Sequence, residues 1–273
     1  MSAGPGKTEG RIAAAFAEAR GRKRCALIPY LTAGDPDLAT TRRLVGALRR
    51  GGADLVEIGV PFSDPIADGP VNQRAAERAL GNGVTLRACL ELAAGLRREG
   101  GPPVVLFGYY NPIHRMGIGP FAQAAARSGV DGVLVTDLPP EEAGELHGAL
   151  SPAGVDLIGL LSPTSAPDRV EKVCALSGGF IYFISRTGVT GMRDDLPAGL
   201  EEQVRAVRRA SNLPIAVGFG IGRPDQVRSI ASFADGVVVG SALVRLVEEN
   251  AGAADLEDRV EAFCRSLAAP LGS

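Results

Sequence analysis

Eight short runs rich in β-branched residues alternate with longer Ala-, Leu- and Arg-rich stretches from one end of the chain to the other, and this alternation most constrains the fold. Repeated strand–helix units set their strands side by side in one parallel sheet. The runs fall at 26–31, 55–59, 104–107, 132–135, 156–160, 180–184, 214–217 and 236–239. A short motif recurs where helix gives way to strand, as Ala53-Asp54-Leu55-Val56, Val130-Asp131-Gly132-Val133 and Ala234-Asp235-Gly236-Val237. Such even repetition favours closure into a (β/α)8 barrel. The rival is an open doubly wound sheet, but its G-x-G-x-x-G turn after the first strand is missing. At 273 residues and 45% hydrophobic content, residues 1–273 can fill a single barrel domain. Ile12, Phe16 and Ala19 share one helical face, so 8–20 reads as an additional N-terminal helix covering the barrel bottom, with 1–7 expected to be disordered.

Composition narrows the function. The formal net charge is −2, with charges scattered and no basic stripe, which argues against nucleic acid as a partner. Cys25, Cys89, Cys174 and Cys264 stand far apart without a C-x-x-C pair and read as reduced thiols. No run approaches the ~20 apolar residues of a membrane span, and Lys7, Glu9, Arg11 and Glu18 interrupt any leader-like stretch. The expectation is a cytoplasmic enzyme that does not engage a membrane.

In a barrel of this kind, functional groups sit at the C-terminal ends of the strands and in the loops that follow. Period-two alternation in the second run turns Leu55, Glu57 and Gly59 toward the barrel axis and Val56, Ile58 and Val60 toward the helices. An inward carboxyl among apolar neighbours should have a raised pKa, useful for proton transfer. A purely structural glutamate would instead pair with an inward arginine. The next loop, from Pro61 to Pro70, carries Asp64 and Asp68 among three prolines before its last residue begins a helix. It could hold Asp68 over the barrel mouth, or Asp68 could simply cap that helix.

Gly218-Phe219-Gly220-Ile221-Gly222 follows the seventh run, and Gly240-Ser241 follows the eighth and opens a helix. Glycines let backbone N–H groups approach an anion, a helix N-terminus adds its dipole, and these two loops are the usual phosphate site of the fold. The glycine-bearing stretch from Ser185 to Met192 reads as a lid. A Schiff-base mechanism needs a lysine at a strand end, yet Lys7, Lys23 and Lys172 all lie elsewhere. His114, placed in a loop, and His147, in a helix, form no metal cluster and no Ser-His-Asp arrangement. The residues thus describe acid–base chemistry by two carboxylates facing a phosphate cup, with no metal and no cofactor in this chain.

The chain resembles the tryptophan synthase α subunit family over nearly its whole length. The resemblance is carried by Pro29 through Pro36 (PYLTAGDP), Glu57 through Pro70 (EIGVPFSDPIADGP), Tyr109-Tyr110-Asn111-Pro112, Ser185 through Gly191, Gly218-Phe219-Gly220 and Gly240-Ser241-Ala242. It implies retro-aldol cleavage of indole-3-glycerol phosphate to indole and glyceraldehyde 3-phosphate, the last stage of tryptophan biosynthesis. Glu57 is then the general acid/base, and Asp68 accepts a hydrogen bond from the indole N–H. Tyr182 matches a tyrosine near the substrate glycerol. Gly191, Gly220, Gly240 and Ser241, with Phe219 beside them, match the phosphate site, and Thr190 matches the lid threonine that meets Asp68 on closure.

The resemblance further implies a pyridoxal-phosphate β subunit as partner in an α2β2 heterotetramer, with Asp64, Pro65 and 111–116 on the surfaces that face it. Two departures, Tyr30 where some members have Phe and Thr187 in the lid, are expected to lie outside the assigned chemistry. The alternatives are a stand-alone indole-3-glycerol phosphate lyase that releases free indole, a catalytically weak regulatory subunit, and another phosphosugar isomerase or epimerase. The last would ordinarily need the Lys, His or metal that this chain does not set at a strand end.

Overall fold

The structure, a computed structural model, describes residues 10–185, 197, 199–218 and 220–272. Nine short strands, β1 (Ala26–Thr32), β2 (Val56–Gly59), β3 (Val104–Gly108), β4 (Gly132–Val135), β5 (Asp156–Leu157), β6 (Gly159–Leu161), β7 (Ile181–Ile184), β8 (Ile215–Gly218) and β9 (Gly236–Val239), pair in the order β5-β4-β3-β2-β1-β9-β8-β7-β6. Every pairing is parallel.

The fifth of the eight expected strands is in two pieces. β5 pairs with β4 and β6 with β7, and only Ile158 separates them, its N–H donating to Val133 O at 2.8 Å. The chain thereby changes neighbours within one continuous run, and this closes the barrel.

Helices α1 (Arg11–Gly21), α2 (Leu38–Arg50), α3 (Pro70–Gly81), α4 (Leu86–Arg98), α5 (Tyr110–Met116), α6 (Ile118–Arg127), α7 (Gly144–Leu150), α8 (Pro167–Leu176), α9 (Leu200–Ala210), α10 (Pro224–Ala231), α11 (Ser241–Glu249) and α12 (Leu256–Ala268) surround it. α5 takes up His114, so that residue sits on a helix rather than in the expected loop, stacked one turn from Tyr110 with ring centroids 5.7 Å apart. The side chains that face the helices form one large apolar layer. A second cluster fills the barrel interior, including Ile28, Leu55, Val105, Leu134, Ile158, Phe180 and Ala216.

Helix α1 closes the bottom, as its apolar face required. Ile12, Phe16 and Ala19 are buried in the interior cluster, and the Phe16 ring lies 5.5 Å from that of Phe180. The recurring aspartate explains itself at this end. Asp54, Asp131 and Asp235 each accept from the backbone N–H at the start of a neighbouring strand, Leu27 at 2.8 Å, Val104 at 2.9 Å and Ile215 at 2.8 Å. Each aspartate's own N–H returns a bond to the carbonyl of that same residue, at 3.0, 2.9 and 2.9 Å. The aspartates thus continue the ladder where pairing runs out, and Arg24, Arg11 and Arg208 balance their charges at 2.6, 2.9 and 2.9 Å.

At the opposite end, Asp35, only 3% exposed, ties the loop after β1 to two helices. Arg78 of α3 grips it through two bonds of 2.8 and 2.7 Å and reaches Glu248 of α11 at 2.7 Å. This network fixes how α3 and α11 approach the barrel mouth.

Candidate active site

Register places Glu57 beside Tyr30 on the inner wall near the top of the barrel. Strand parity holds: Leu55 belongs to the interior cluster, whereas Val56 and Ile58 pack outward. Glu57 is 1% exposed and its Oε1 has no hydrogen-bond partner. Among the described residues no arginine pairs with it, so the structural alternative falls away. Burial alone pushes its pKa up to about 8, leaving a neutral acid close to its titration point at physiological pH.

Tyr30, expected to lie outside the assigned chemistry, stands beside Glu57. A side chain at Gly59 would meet the Tyr30 hydroxyl at 2.0 Å, so glycine at 59 is what lets the phenol lie over the strand end one inward position beyond Glu57. Gly218 has the same relation to Tyr182, at 2.2 Å. Both phenols are buried and held well above their ordinary pKa, first by burial and then by the nearby carboxyls, so they remain neutral hydrogen-bonding groups. Phe107 stands between them, its ring 5.4 Å from Tyr30 and 6.5 Å from Tyr182. These three rings make an aromatic wall suited to a flat apolar substrate.

Asp68 is held by contacts that sequence reasoning missed. The Tyr109 hydroxyl donates to Asp68 Oδ2 at 2.8 Å and accepts from the N–H of Ala67 at 3.0 Å, pinning the loop to the end of β3. Gln73 donates to the Asp68 carbonyl at 2.9 Å. Asp68 does not cap α3: the N-cap is Gly69, with no side-chain cap bond. Burial raises the Asp68 pKa, while hydrogen bonds from Tyr109 and Asn72 oppose the rise and favour its charged form. Tyr109 stood inside a quoted motif, but nothing in its spacing from Asp68 announced the pairing.

The glycines after β8 and β9 come together because those strands are neighbours, with Val217 opposite Val237. Gly220 has φ +77° and open space where a side chain would be, and Gly240 precedes α11, which begins at Ser241 without a side-chain cap. Among the described residues the amides of Ser241 and Ala242 meet no acceptor, whereas that of Leu243 donates to Gly240 O at 2.9 Å, so the first two N–H groups of α11 could meet an anion. Tyr182 projects into the interior from β7, next in the sheet. Of the other expected site residues, Thr190, Gly191 and Phe219 lie outside the described residues, as do Thr187 and the segment 1–7.

Nearly the whole chain is similar to proteins of one family. The family model described as tryptophan synthase alpha chain matches residues 16–271. The chain belongs to that family. The alpha chain from Geobacter sp. (strain M21) is 54% identical over 247 residues, 90% of this chain and 92% of the relative. That of Geobacter sulfurreducens is 49% identical over 263 residues, 96% and 99%. Among solved structures, the tryptophan synthase subunit alpha from Legionella pneumophila superposes with a TM-score of 0.88 at 36% identity, covering 96% of this chain and 98% of the other. A chain of Mycobacterium tuberculosis tryptophan synthase gives 0.89 at 37%, covering 97% and 99%. As a tryptophan synthase alpha chain it is a lyase subunit without a cofactor of its own, and the name implies a beta chain as partner.

Proposed function

We propose that this tryptophan synthase alpha chain cleaves indole-3-glycerol phosphate to indole and glyceraldehyde 3-phosphate, with Glu57 as general acid/base and Asp68 as the electrostatic partner of the ring nitrogen. The observation that carries the reading is the buried Glu57 carboxyl, unpaired at Oε1 and raised to about 8, on the same mouth as an Asp68 that Tyr109 holds in place.

The chemistry follows from these states. Neutral Glu57 gives its proton to indole C3, and positive charge develops on the ring nitrogen. The N–H then donates to ionised Asp68, which stabilises the cation. Glu57, now a carboxylate, takes the proton of the hydroxyl on the carbon attached to C3. The carbon–carbon bond breaks, its electron pair returns to the ring, and the oxygen becomes the aldehyde. Tyr182 and Tyr30 present neutral hydroxyls beside the glycerol chain. Gly220, Gly240 and Ser241, joined by Gly191 and Phe219, hold the phosphate, and Thr190 meets Asp68 when the lid closes.

The loop carrying Asp68 also supports docking of the beta chain, which holds the pyridoxal phosphate. Ile66 is 80% exposed at its tip, beside exposed Asp64, and an apolar side chain so displayed gains by being covered. Asn111, His114 and Arg115 are exposed on α5. An α2β2 assembly in the cytoplasm, with indole passed to the beta chain, is the arrangement proposed. Indole release from indole-3-glycerol phosphate, with and without a beta chain, tests it: cleavage accelerated by the partner is expected. Fast cleavage indifferent to the partner would favour the stand-alone lyase, and no cleavage in either case would overturn the reading.

A further inference from the structure

Helices α3 and α11 begin on different parts of the barrel mouth. α3 starts at Pro70, two residues after Asp68, and α11 at Ser241, in the glycine cradle. Helical spacing puts Val71, Arg74, Ala75 and Arg78 on one side of α3, and Ser241, Val244 and Glu248 on one side of α11. The fold sets these two sides against each other. At the mouth end Val71, Ala75 and Val244 pack with Tyr30. A turn farther out, Glu248 accepts from Arg74 at 2.8 and 2.7 Å and from Arg78 at 2.7 Å, while Arg78 also grips Asp35 in the loop after β1. Because β1 lies between β2 and β9, this network spans three adjacent loops of the mouth.

Stability is not what the outer bonds chiefly supply. The Arg74 side chain is 51% exposed and that of Glu248 23%, and an ion pair in such a setting contributes little to folding. Their geometry is more telling. Arg74 is bidentate and Glu248 sits between two guanidinium groups, which fixes the distance and rotation of α11 against α3. Hydrogen bonds, first from Arg74 and then from Arg78, hold the Glu248 pKa down at about 2, so the link stays charged throughout the neutral range. α3 in turn carries Asp68 with it, because Gln73 donates to the Asp68 carbonyl at 2.9 Å.

On the reading that phosphate rests on the first amides of α11 while Asp68 meets the indole nitrogen, we propose that Glu248 is a positioning residue that locks α11 to α3, so that filling the phosphate cradle and aligning Asp68 become one event. Glu248 lies two turns beyond Ser241, ~10 Å along the helix, and acts through its arginines rather than on the substrate. A displacement of α11 is passed through Arg74 and Arg78 to α3 and so to Asp68. Binding energy from a phosphate remote from the reacting carbon is thereby used to hold the carboxylate where positive charge develops.

A substrate supplied in two pieces tests this: indole-3-glycerol without its phosphate, with phosphite dianion added separately, assayed on the native chain, Glu248→Gln and Arg74→Gln. Phosphite is expected to accelerate cleavage by the native chain. Each variant should lose about tenfold or more of that acceleration, since a misplacement of ~1 Å remote from the chemistry can cost about 10²-fold. On the intact phosphate ester, kcat should fall by a larger factor than KM rises, with little change in melting temperature. Arg74→Gln leaves Arg78 on Asp35 and carries the test if Glu248→Gln folds poorly. Equal acceleration in native and variant chains, whatever their melting temperatures, overturns the role of Glu248. Normal cleavage of the intact ester by a native chain that phosphite does not accelerate overturns the coupling. Failure of the native chain to cleave the intact ester instead overturns the function on which the inference rests.

Discussion

Tyr109 and Asp68 are joined by a 2.8 Å hydrogen bond between loops that follow adjacent strands, 41 residues apart in sequence. The phenol both donates to the carboxylate and accepts from the Ala67 N–H, so one oxygen sets the position and the charge state of Asp68. Tyr109→Phe removes both bonds and leaves burial, which already raises the Asp68 pKa, less opposed. Activity requires ionised Asp68 and so appears as pH rises through its pKa. The acid limb of kcat should therefore move to higher pH, and kcat/KM at neutral pH should fall about tenfold or more, the worth of a hydrogen bond to a charged group. A pH–rate profile of the native and variant proteins checks both.

Glu57 should announce itself in the profile of kcat/KM. It enters the reaction protonated, so activity is expected to fall as pH rises through about 8. Glu57→Gln should lower kcat by about 10²–10⁴, the range for a positioned proton-transfer group. Near-native cleavage by that variant would remove Glu57 from its role.

The same residue couples pH to folding. Its pKa is about 8 in the native state against the 4.5 of an exposed glutamate, so between these values the native state holds more protons than the unfolded one. Stability should thus decline from about pH 4.5 to about pH 8 and level off above. Urea unfolding across this range should show the decline in the native protein relative to Glu57→Gln, in which the titrating group is gone. Parallel curves would mean that burial of the carboxyl is relieved in solution.

Gly59→Ala would put a methyl group 2.0 Å from the Tyr30 hydroxyl. The ring must swing into the mouth or the strand must shift, at a cost of about 1–3 kcal/mol. The variant should fold with a lower melting temperature and a raised KM, read by thermal unfolding and initial-rate kinetics. An unchanged KM would show that Tyr30 does not bound the substrate cavity.

Arg78→Met leaves Asp35 buried without its cation, and the expected loss is about 3–5 kcal/mol because an unpaired internal carboxylate is worse than a lost bond. Chemical denaturation measures it. Asp35→Asn in the same chain should recover part of the loss, since the uncompensated charge is then absent.

Much of this architecture was legible in the sequence because it depends on local periodicity. Alternation of strand and helix named the barrel, strand parity turned Glu57 inward, and the apolar stripe of residues 12, 16 and 19 brought α1 to the barrel bottom. Each needs only the geometry of one element and the requirement that apolar faces be buried. The recurrent aspartates were visible as a pattern, but their purpose appeared only when each was found bridging to a neighbouring strand.

What the tertiary structure alone decided are the contacts between residues remote in sequence. Tyr109 on Asp68, the Tyr30 phenol over Gly59, the splitting of the fifth strand at Ile158 and the grip of Arg78 on Glu248 all depend on which loops and helices meet at the mouth once the sheet has closed. The physical reason is range. Hydrophobic periodicity is written along the chain at intervals of two and near four residues, whereas hydrogen bonds across a barrel mouth form at about 3 Å between side chains whose spacing in sequence carries no period.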